Sequence, residues 1–459
     1  MTFPENFLWG ASTSSYQIEG AVKQDGRGVS IWDTFCEKPG AIDNNDVGDV
    51  ACDHYNRYRE DIAIMSEIGL NAYRFSFSWS RLFPEANGRV EKRGFDFYDR
   101  LVDELLEQGI EPVATLYHWD LPQYLQDNGG WSSRNIIEPF AEYAASVATH
   151  FGDRIKRISP INEPWVVSWL GYGSGVLAPG VKDYSEAIAA AHHTIVAHNA
   201  AFKAIKSVAP HVLVGPVLNQ LTPDLDDYSD PFQIQAAKTF DQFLNYFWMD
   251  GTFRGKYSDH VWSMYGKALE DVVKEGDLDV VANDWLGINY YFNNRIGHSV
   301  PSNHPTANGF IGELAGLYSE GAPVGPTTDT DWPITPYGIG DLLVRWTREY
   351  GDLIPQMFIT ENGCAYADAP DENGVVNDVR RQSYLRDHIL SLDSAISRGA
   401  NLGGYFHWSL LDNFEWARGF SMRFGLVHVD YETQKRTLKQ SAFLYRDIIK
   451  SHGQNLFHG

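Results

Sequence analysis

The chain has 459 residues, 43% apolar and 21% charged, a balance that excludes a disordered polymer and supplies enough apolar surface for a large core. Its formal net charge of −23 repels phosphate backbones and anionic lipid, and no basic patch offsets it, so nucleic-acid and membrane partners are not expected. Cys36, Cys52 and Cys364 match neither a zinc site nor a redox C-x-x-C pair, which favours a reducing compartment.

The opening MTFPENFLWG has no basic segment leading a long apolar one, and nowhere do eighteen apolar residues run uninterrupted, so the expected location is the cytoplasm. From there short apolar runs alternate with stretches of helical period. The runs are FLWGAS (7–12), AYRFSFSW (72–79), EPVATLYHW (111–119), RISPIN (157–162), HVLVGPVLN (211–219), WLGINYY (285–291), QMFIT (356–360) and GGYFHWSLL (403–411). Between the second and third, FYDRLVDELLEQG sets Leu101, Val102, Leu105 and Leu106 on one stripe, and Gly109 ends the helix. RRQSYLRDHILSL and TLKQSAFLYRDIIK follow the seventh and eighth runs in the same way. Eight strands, each followed by a helix and with no low-complexity linker, predict one α/β domain over 1–459, a single-domain parallel (β/α)₈ TIM barrel. The connections after strands one, four and six are long, the last running from about Asn293 to Tyr337. Loops of that length are expected to wall a site at the carboxyl ends of the strands.

The strand ends are rich in polar and aromatic groups: Gln17 with Glu19, Arg74 with Trp79, His118 with Trp119, Asn162 with Glu163, Asn289 with Tyr291, then Glu361, Trp408, Glu415 and Trp416. Glu163 and Glu361 finish strands four and seven. Cleaving a glycosidic bond needs such a pair: one acid protonates the leaving oxygen while an anion attacks or stabilises the anomeric carbon. Indoles suit the same ligand, because a flat ring meets the C–H face of a sugar without competing for its hydroxyls. Other signals are read as structural. DNNDVGD (43–49) has Val47 and His54 at positions where a calcium loop needs ligands, and His193 and His198 stand five apart rather than the four of helical zinc motifs. Cys364 is expected to be a small packing residue. No metal and no cofactor are expected.

Seven separated segments, FLWGASTSSYQIEGA, YRFSFSWSRLFP, LYHWDLPQYL, INEPW, GINYY, FITENG and WSLLDNFEWARGFSMRFGLVHVD, resemble the bacterial β-glucosidases of glycoside hydrolase family one, in the family's order, from Phe3 to about Ile449. The resemblance implies a retaining enzyme with Glu361 as nucleophile and Glu163 as acid/base. It implies that Gln17, His118, Trp119, Asn162, Asn289, Tyr291, Glu415 and Trp416 bind the non-reducing sugar over Trp408. Arg74 and Tyr291 would hold the nucleophile ionised, Arg74 by lowering its pKa, and Trp165 and Trp332 would line the aglycone side. The implied substrates are terminal β-D-glucosyl residues of cello-oligosaccharides and of aryl or alkyl β-glucosides, with β-galactosidase and β-fucosidase side activity. A 6-phospho-β-glycosidase is the near alternative. That branch carries Ser where Glu415 stands, and a carboxylate there would repel a phosphate dianion. A non-catalytic glycan-binding relative would lack one of the two acids. Oligomeric state, including a homo-oligomer, stays open.

Overall fold

The computed structural model describes residues 3–86, 88–296 and 325–457. Eight positions along the barrel wall are filled in chain order by β1 (Leu8–Ser12), β2 (Ala72–Ser76), β3 (Glu111–Tyr117), β4 (Arg157–Ile161), β5 (Leu213–Val214 and Val217–Asn219), β6 (Leu286–Asn289), β7 (Met357–Asn362) and β8 (Leu402–Trp408). β5 is where the expected single run breaks. Pro216 has no N–H to give a ladder, so the first half of β5 pairs with β4 and the second with β6. The sheet order therefore begins and ends on the two halves of one strand. Asn162 at the end of β4 also bridges Val217, which closes the (β/α)₈ barrel.

Strand alternation stacks the interior in layers. Ala72, Val113, Val217, Phe358 and Phe406, from five strands, form one apolar cluster with Trp285. Two residues further along the same faces of β2 and β8 come Arg74 and Trp408, in register with Ser12 of β1. The polar layer thus sits directly on an apolar plug. On β7 the alternation is interrupted: Ile359 pairs with Ile288 and Glu361 with Asn289, so Thr360 is a surplus residue, a bulge. Bulges re-aim side chains near strand ends, and this one sits beside Glu361.

The helix Lys92–Glu107 buries Phe95, Tyr98, Leu101, Val102 and Leu105, and Gly109 follows at φ +72. Leu106, read as part of that stripe, is 42% exposed; the buried face instead runs back along the helix through Tyr98, Phe97 and Phe95. After β8 the chain makes an antiparallel pair, Val427–Val429 with Arg436–Leu438, before the last helix starts at Gln440. Thr437 and Leu438 are therefore strand rather than helix. The intervening loop is anchored by Asp412, which accepts from Lys439 Nζ (2.8 Å), Arg423 Nη1 (2.9 Å) and the Gly425 N–H (2.9 Å). Burial raises the pKa of Asp412, but the two cations outweigh it and hold the carboxyl below its ordinary range. Of the long connection from Asn293 to Tyr337, residues 297–324 lie outside the described residues. Among the described residues no helix is long and apolar enough to cross a membrane.

Leu101→Ala should cost about 2–5 kcal/mol of unfolding free energy, and Leu106→Ala no more than about 0.5 kcal/mol, measured by urea unfolding. Equal losses would contradict the stripe described above.

Candidate active site

Arg74 is fully buried, and a guanidinium can only donate. Its Nη1 donates to Glu361 Oε1 (2.6 Å) and its Nη2 to Asn162 Oδ1 (2.7 Å). These two bonds orient the surrounding groups. With its oxygen turned to Arg74, Asn162 presents Nδ2 to His118 Nε2 at 3.1 Å, so that nitrogen must accept and the proton of neutral His118 sits on Nδ1. The same Asn162 oxygen takes a second bond from Asn289 Nδ2 (3.1 Å), and that nitrogen also donates to Glu163 Oε1 (2.6 Å). Asn289 Oδ1 then accepts from Thr360 Oγ1 at 2.7 Å. Tyr291 closes the set by donating to Glu361 Oε2 at 2.8 Å. The two glutamates thus belong to one directional network, Glu361 bonded directly to the cation and Glu163 reached through two amides.

The electrostatics differ accordingly. Burial raises the pKa of Glu163, the charge of Glu361 raises it again, and the Asn289 bond opposes both too weakly, leaving it well above the ordinary carboxyl range. Burial also raises Glu361, against the charge and hydrogen bond of Arg74 and the Tyr291 hydroxyl. The expectation that Arg74 lowers this pKa holds for its own contribution only, because removing a carboxylate from water outweighs it. With both strong donors on Glu361, the proton of the pair resides on Glu163. Glu415 is pushed up to about 8, first by burial and then by Glu361, with the Trp408 indole bond opposing; its Oε2 has no protein partner. His118 lies well below its ordinary value through burial and the nearby Arg74, so it is neutral.

Three residues here carry left-handed backbone: Trp119 (φ 78), Glu163 (φ 48) and Trp416 (φ 51). Non-glycine residues in this region cost about 1–3 kcal/mol each and persist where the surroundings over-determine them. Trp119 is fixed by its indole bond to Asn162 O (2.9 Å). Glu163 lies two residues past the end of β4, just before a stretch wound as a π-helix, Val166–Gly173, a form that recurs at functional sites. Trp416 is backed by Trp32, with ring centroids 4.5 Å apart, and faces Trp119 at 4.7 Å. His118 lies nearly parallel to Trp408 (5.8 Å, 22°). Trp332 meets Tyr291 at 5.2 Å, bringing it beside Glu361, whereas Trp165 meets Phe243 edge-on at 5.9 Å.

Gln17 adjoins this group with both amide donors engaged, Nε2 donating to Asn413 Oδ1 (3.1 Å) and Phe414 O (2.9 Å), while Oε1 accepts from Ser14 Oγ (2.6 Å) and keeps a second lone pair for a ligand hydroxyl. Glu19 and Trp79, read with the strand ends, belong elsewhere. Glu19 accepts from Arg81 (3.0 Å) and Tyr98 (2.6 Å), and Trp79 stacks on Tyr143 at 4.7 Å. Thr360 and Trp32 were not singled out from sequence; the first is hidden by the bulge, the second by lying outside any strand.

The remaining sequence signals resolve into packing. Asp46 of DNNDVGD accepts from the Phe420 N–H at 2.8 Å, and a Cβ on Gly419 (φ +54) would come within 2.3 Å of its carboxylate. This motif therefore braces the turn that carries Glu415 and Trp416. His193 bonds Trp131 O (3.0 Å) and His198 bonds Asn283 (2.7 Å). Cys364 is wholly buried among Tyr366 and Tyr384. Among the described residues no three His, Cys, Asp or Glu side chains gather closely enough to hold a metal ion.

A parallel (β/α)₈ barrel whose mouth holds buried glutamates among indoles is the frame of a glycoside-hydrolysing enzyme. The model of glycosyl hydrolase family 1 matches residues 1–454, and the chain belongs to that family. It is 43% identical over 457 residues to β-glucosidase A of Thermotoga maritima, covering 98% of each chain. It is 39% identical over 468 residues to a bifunctional β-D-glucosidase/β-D-fucosidase of Bifidobacterium breve, covering 98% and 99%. The solved Thermotoga maritima β-glucosidase in complex with glucoimidazole superposes with a TM-score of 0.91 at 42% identity, over 98% of this chain and 99% of that one.

The network requires His118 to be the neutral Nδ1–H tautomer between pH 5 and 8, as read from ¹⁵N shifts of labelled histidine. An imidazolium, or a proton on Nε2, would contradict the orientation assigned to Asn162.

Proposed function

We propose that this family 1 enzyme is a retaining β-glucosidase. It would release terminal β-D-glucosyl residues from cello-oligosaccharides and from aryl or alkyl β-glucosides, in the cytoplasm, with 1–459 acting as one catalytic unit. The observation that carries this reading is the unequal treatment of two buried carboxyls: Glu361 receives the Arg74 and Tyr291 donors, while Glu163 receives one amide.

In the first half-reaction the Glu361 carboxylate attacks C1 from the face opposite the aglycone. The C1–O bond breaks, and Glu163 gives its proton to the departing oxygen. Glu361 is then an ester, and its negative charge is gone. That charge is one of the influences raising Glu163, so the same residue becomes a stronger acid and can rest as a carboxylate. In the second half-reaction it takes a proton from water as the water oxygen attacks C1 and the ester bond breaks. Two inversions leave the β configuration.

His118, Asn162, Gln17, Trp119, Glu415 and Trp416 would hold the sugar hydroxyls over Trp408, with Trp165 and Trp332 toward the aglycone. The unpartnered Glu415 Oε2 gains a donor from a sugar hydroxyl, which relieves the cost of leaving a buried acceptor unpaired. A single free acceptor can turn to an axial or an equatorial hydroxyl. This supports side activity on β-galactosides and β-fucosides, and the Bifidobacterium breve relative is itself a bifunctional β-D-glucosidase/β-D-fucosidase.

Glu163→Ala should lower kcat on alkyl glucosides by about 10²–10⁴-fold, less on aryl glucosides with good leaving groups, and azide should then yield the β-glucosyl azide. Glu361→Gln should fall more than about 10³-fold on every substrate. An azide product of α configuration from Glu163→Ala, or retention of a tenth of wild-type kcat by Glu361→Gln, would reverse or remove the assigned roles.

A further inference from the structure

Thr360 stands next to Glu361 but makes no bond to it. It is 1% exposed, it is the surplus residue of the β7 bulge, and its backbone carbonyl accepts from Ser12 Oγ at 2.7 Å. Its side chain occupies space left by Gly287, where a Cβ would come within 2.8 Å of Cγ2 and 2.9 Å of Oγ1. Among the described residues only Asn289 Oδ1, at 2.7 Å, is bonded to its hydroxyl. A threonine hydroxyl can donate or accept. Here the direction is imposed: Arg74 turns Asn162 Oδ1 inward, that oxygen demands a donor from Asn289, and Asn289 is left with an oxygen facing Thr360.

We propose that Thr360 is a positioning residue for the acid/base carboxyl, its hydroxyl holding the Asn289 amide so that Nδ2 faces Glu163. This rests on the reading of Glu163 given above. Without the hydroxyl, Asn289 Oδ1 is a buried acceptor with no donor. If the amide turned to relieve this, Oδ1 would face Asn162 Oδ1 and Glu163 Oε1, three acceptors together. Only a protonated Glu163 could supply a hydrogen there. Thr360 therefore favours the carboxylate form of Glu163, the form needed to take a proton from water in deglycosylation. Among the described residues, the charged or titratable groups facing Glu163 are Glu361 and Glu415, which favour its protonated form, Arg74, which opposes it, and the neutral Tyr291 hydroxyl. Thr360 Oγ1 bonds none of these, so its removal leaves them in place.

The test compares Thr360→Val, which is nearly isosteric but has no hydroxyl, with Thr360→Ser, which keeps the donor and loses the methyl, and with Thr360→Ala. The readout is the pH dependence of kcat/KM and kcat on an aryl β-glucoside. In Thr360→Val and Thr360→Ala the alkaline limb should move up by about 0.5–1 pH unit, the range expected for loss of one neutral hydrogen bond. Thr360→Ser should keep the limb at its wild-type position. Should Thr360→Val not fold, the Ala and Ser pair carries the same comparison. A limb unmoved in the variants lacking the hydroxyl, or moved equally in Thr360→Ser, would overturn the proposal. Azide trapping separates the two readings. If Glu163→Ala gives the β-glucosyl azide and the limb does not move, only the role of Thr360 fails; if no such azide forms, the acid/base reading itself fails.

Discussion

A buried guanidinium sets the chemistry of this barrel. Arg74 carries a positive charge that burial penalises and donors that require acceptors, and the fold answers with one carboxylate and one amide oxygen. Because a guanidinium never accepts, the polar groups one to three bonds away along this network are each forced into a single orientation. The Asn162 and Asn289 amides, the His118 tautomer and the Thr360 hydroxyl all follow from it. Two glutamates that differ little in burial, 5% and 3% exposed, are thereby made chemically unequal.

The scaffold keeps this arrangement rigid in two ways. Below, an apolar plug drawn from five strands fills the barrel and leaves the polar layer no room to settle. Around the mouth, loops far apart in sequence are tied by buried charges and backbone caps. Asp412 holds the loop after β8 through Lys439 and Arg423, and Asp46 from the loop after β1 caps the turn behind Glu415 and Trp416. Left-handed backbone at Trp119, Glu163 and Trp416 persists on that support. Removing one partner of such a buried pair leaves an uncompensated charge, so these ties are part of what positions the sugar-facing groups.

Much of this was legible in the sequence because barrel strands are short apolar runs that stop at polar residues, and the residues at their ends are the ones a ligand can reach. Glu163, Glu361, Asn162, Asn289 and His118 were found that way. What escaped depended on contacts a linear pattern does not carry. β5 read as one run, since Gly215 and Pro216 interrupt its ladder without interrupting its hydrophobicity. Leu106 kept the helical period and still faces water. Glu19 and Trp79 lie near strand ends, yet their loops turn them toward Arg81 and Tyr143. Thr360 was concealed by a bulge, a change of register that exists only between two strands. For Glu361, the family resemblance implies a pKa lowered by Arg74, while the opposing cost of burial is visible only in the full surroundings.

The most direct measurement is a ¹³C titration of labelled glutamate carboxyls, assigned with Glu163 and Glu361 variants, in the free enzyme and again with Glu361 esterified by a slow 2-fluoro-glucosyl substrate. Glu361 is expected to ionise at the lower pH of the two, and the Glu163 titration to move down once the ester forms. Ionisation of Glu163 first, or a Glu163 titration unchanged by the ester, would contradict the division of roles that Arg74 is held to impose.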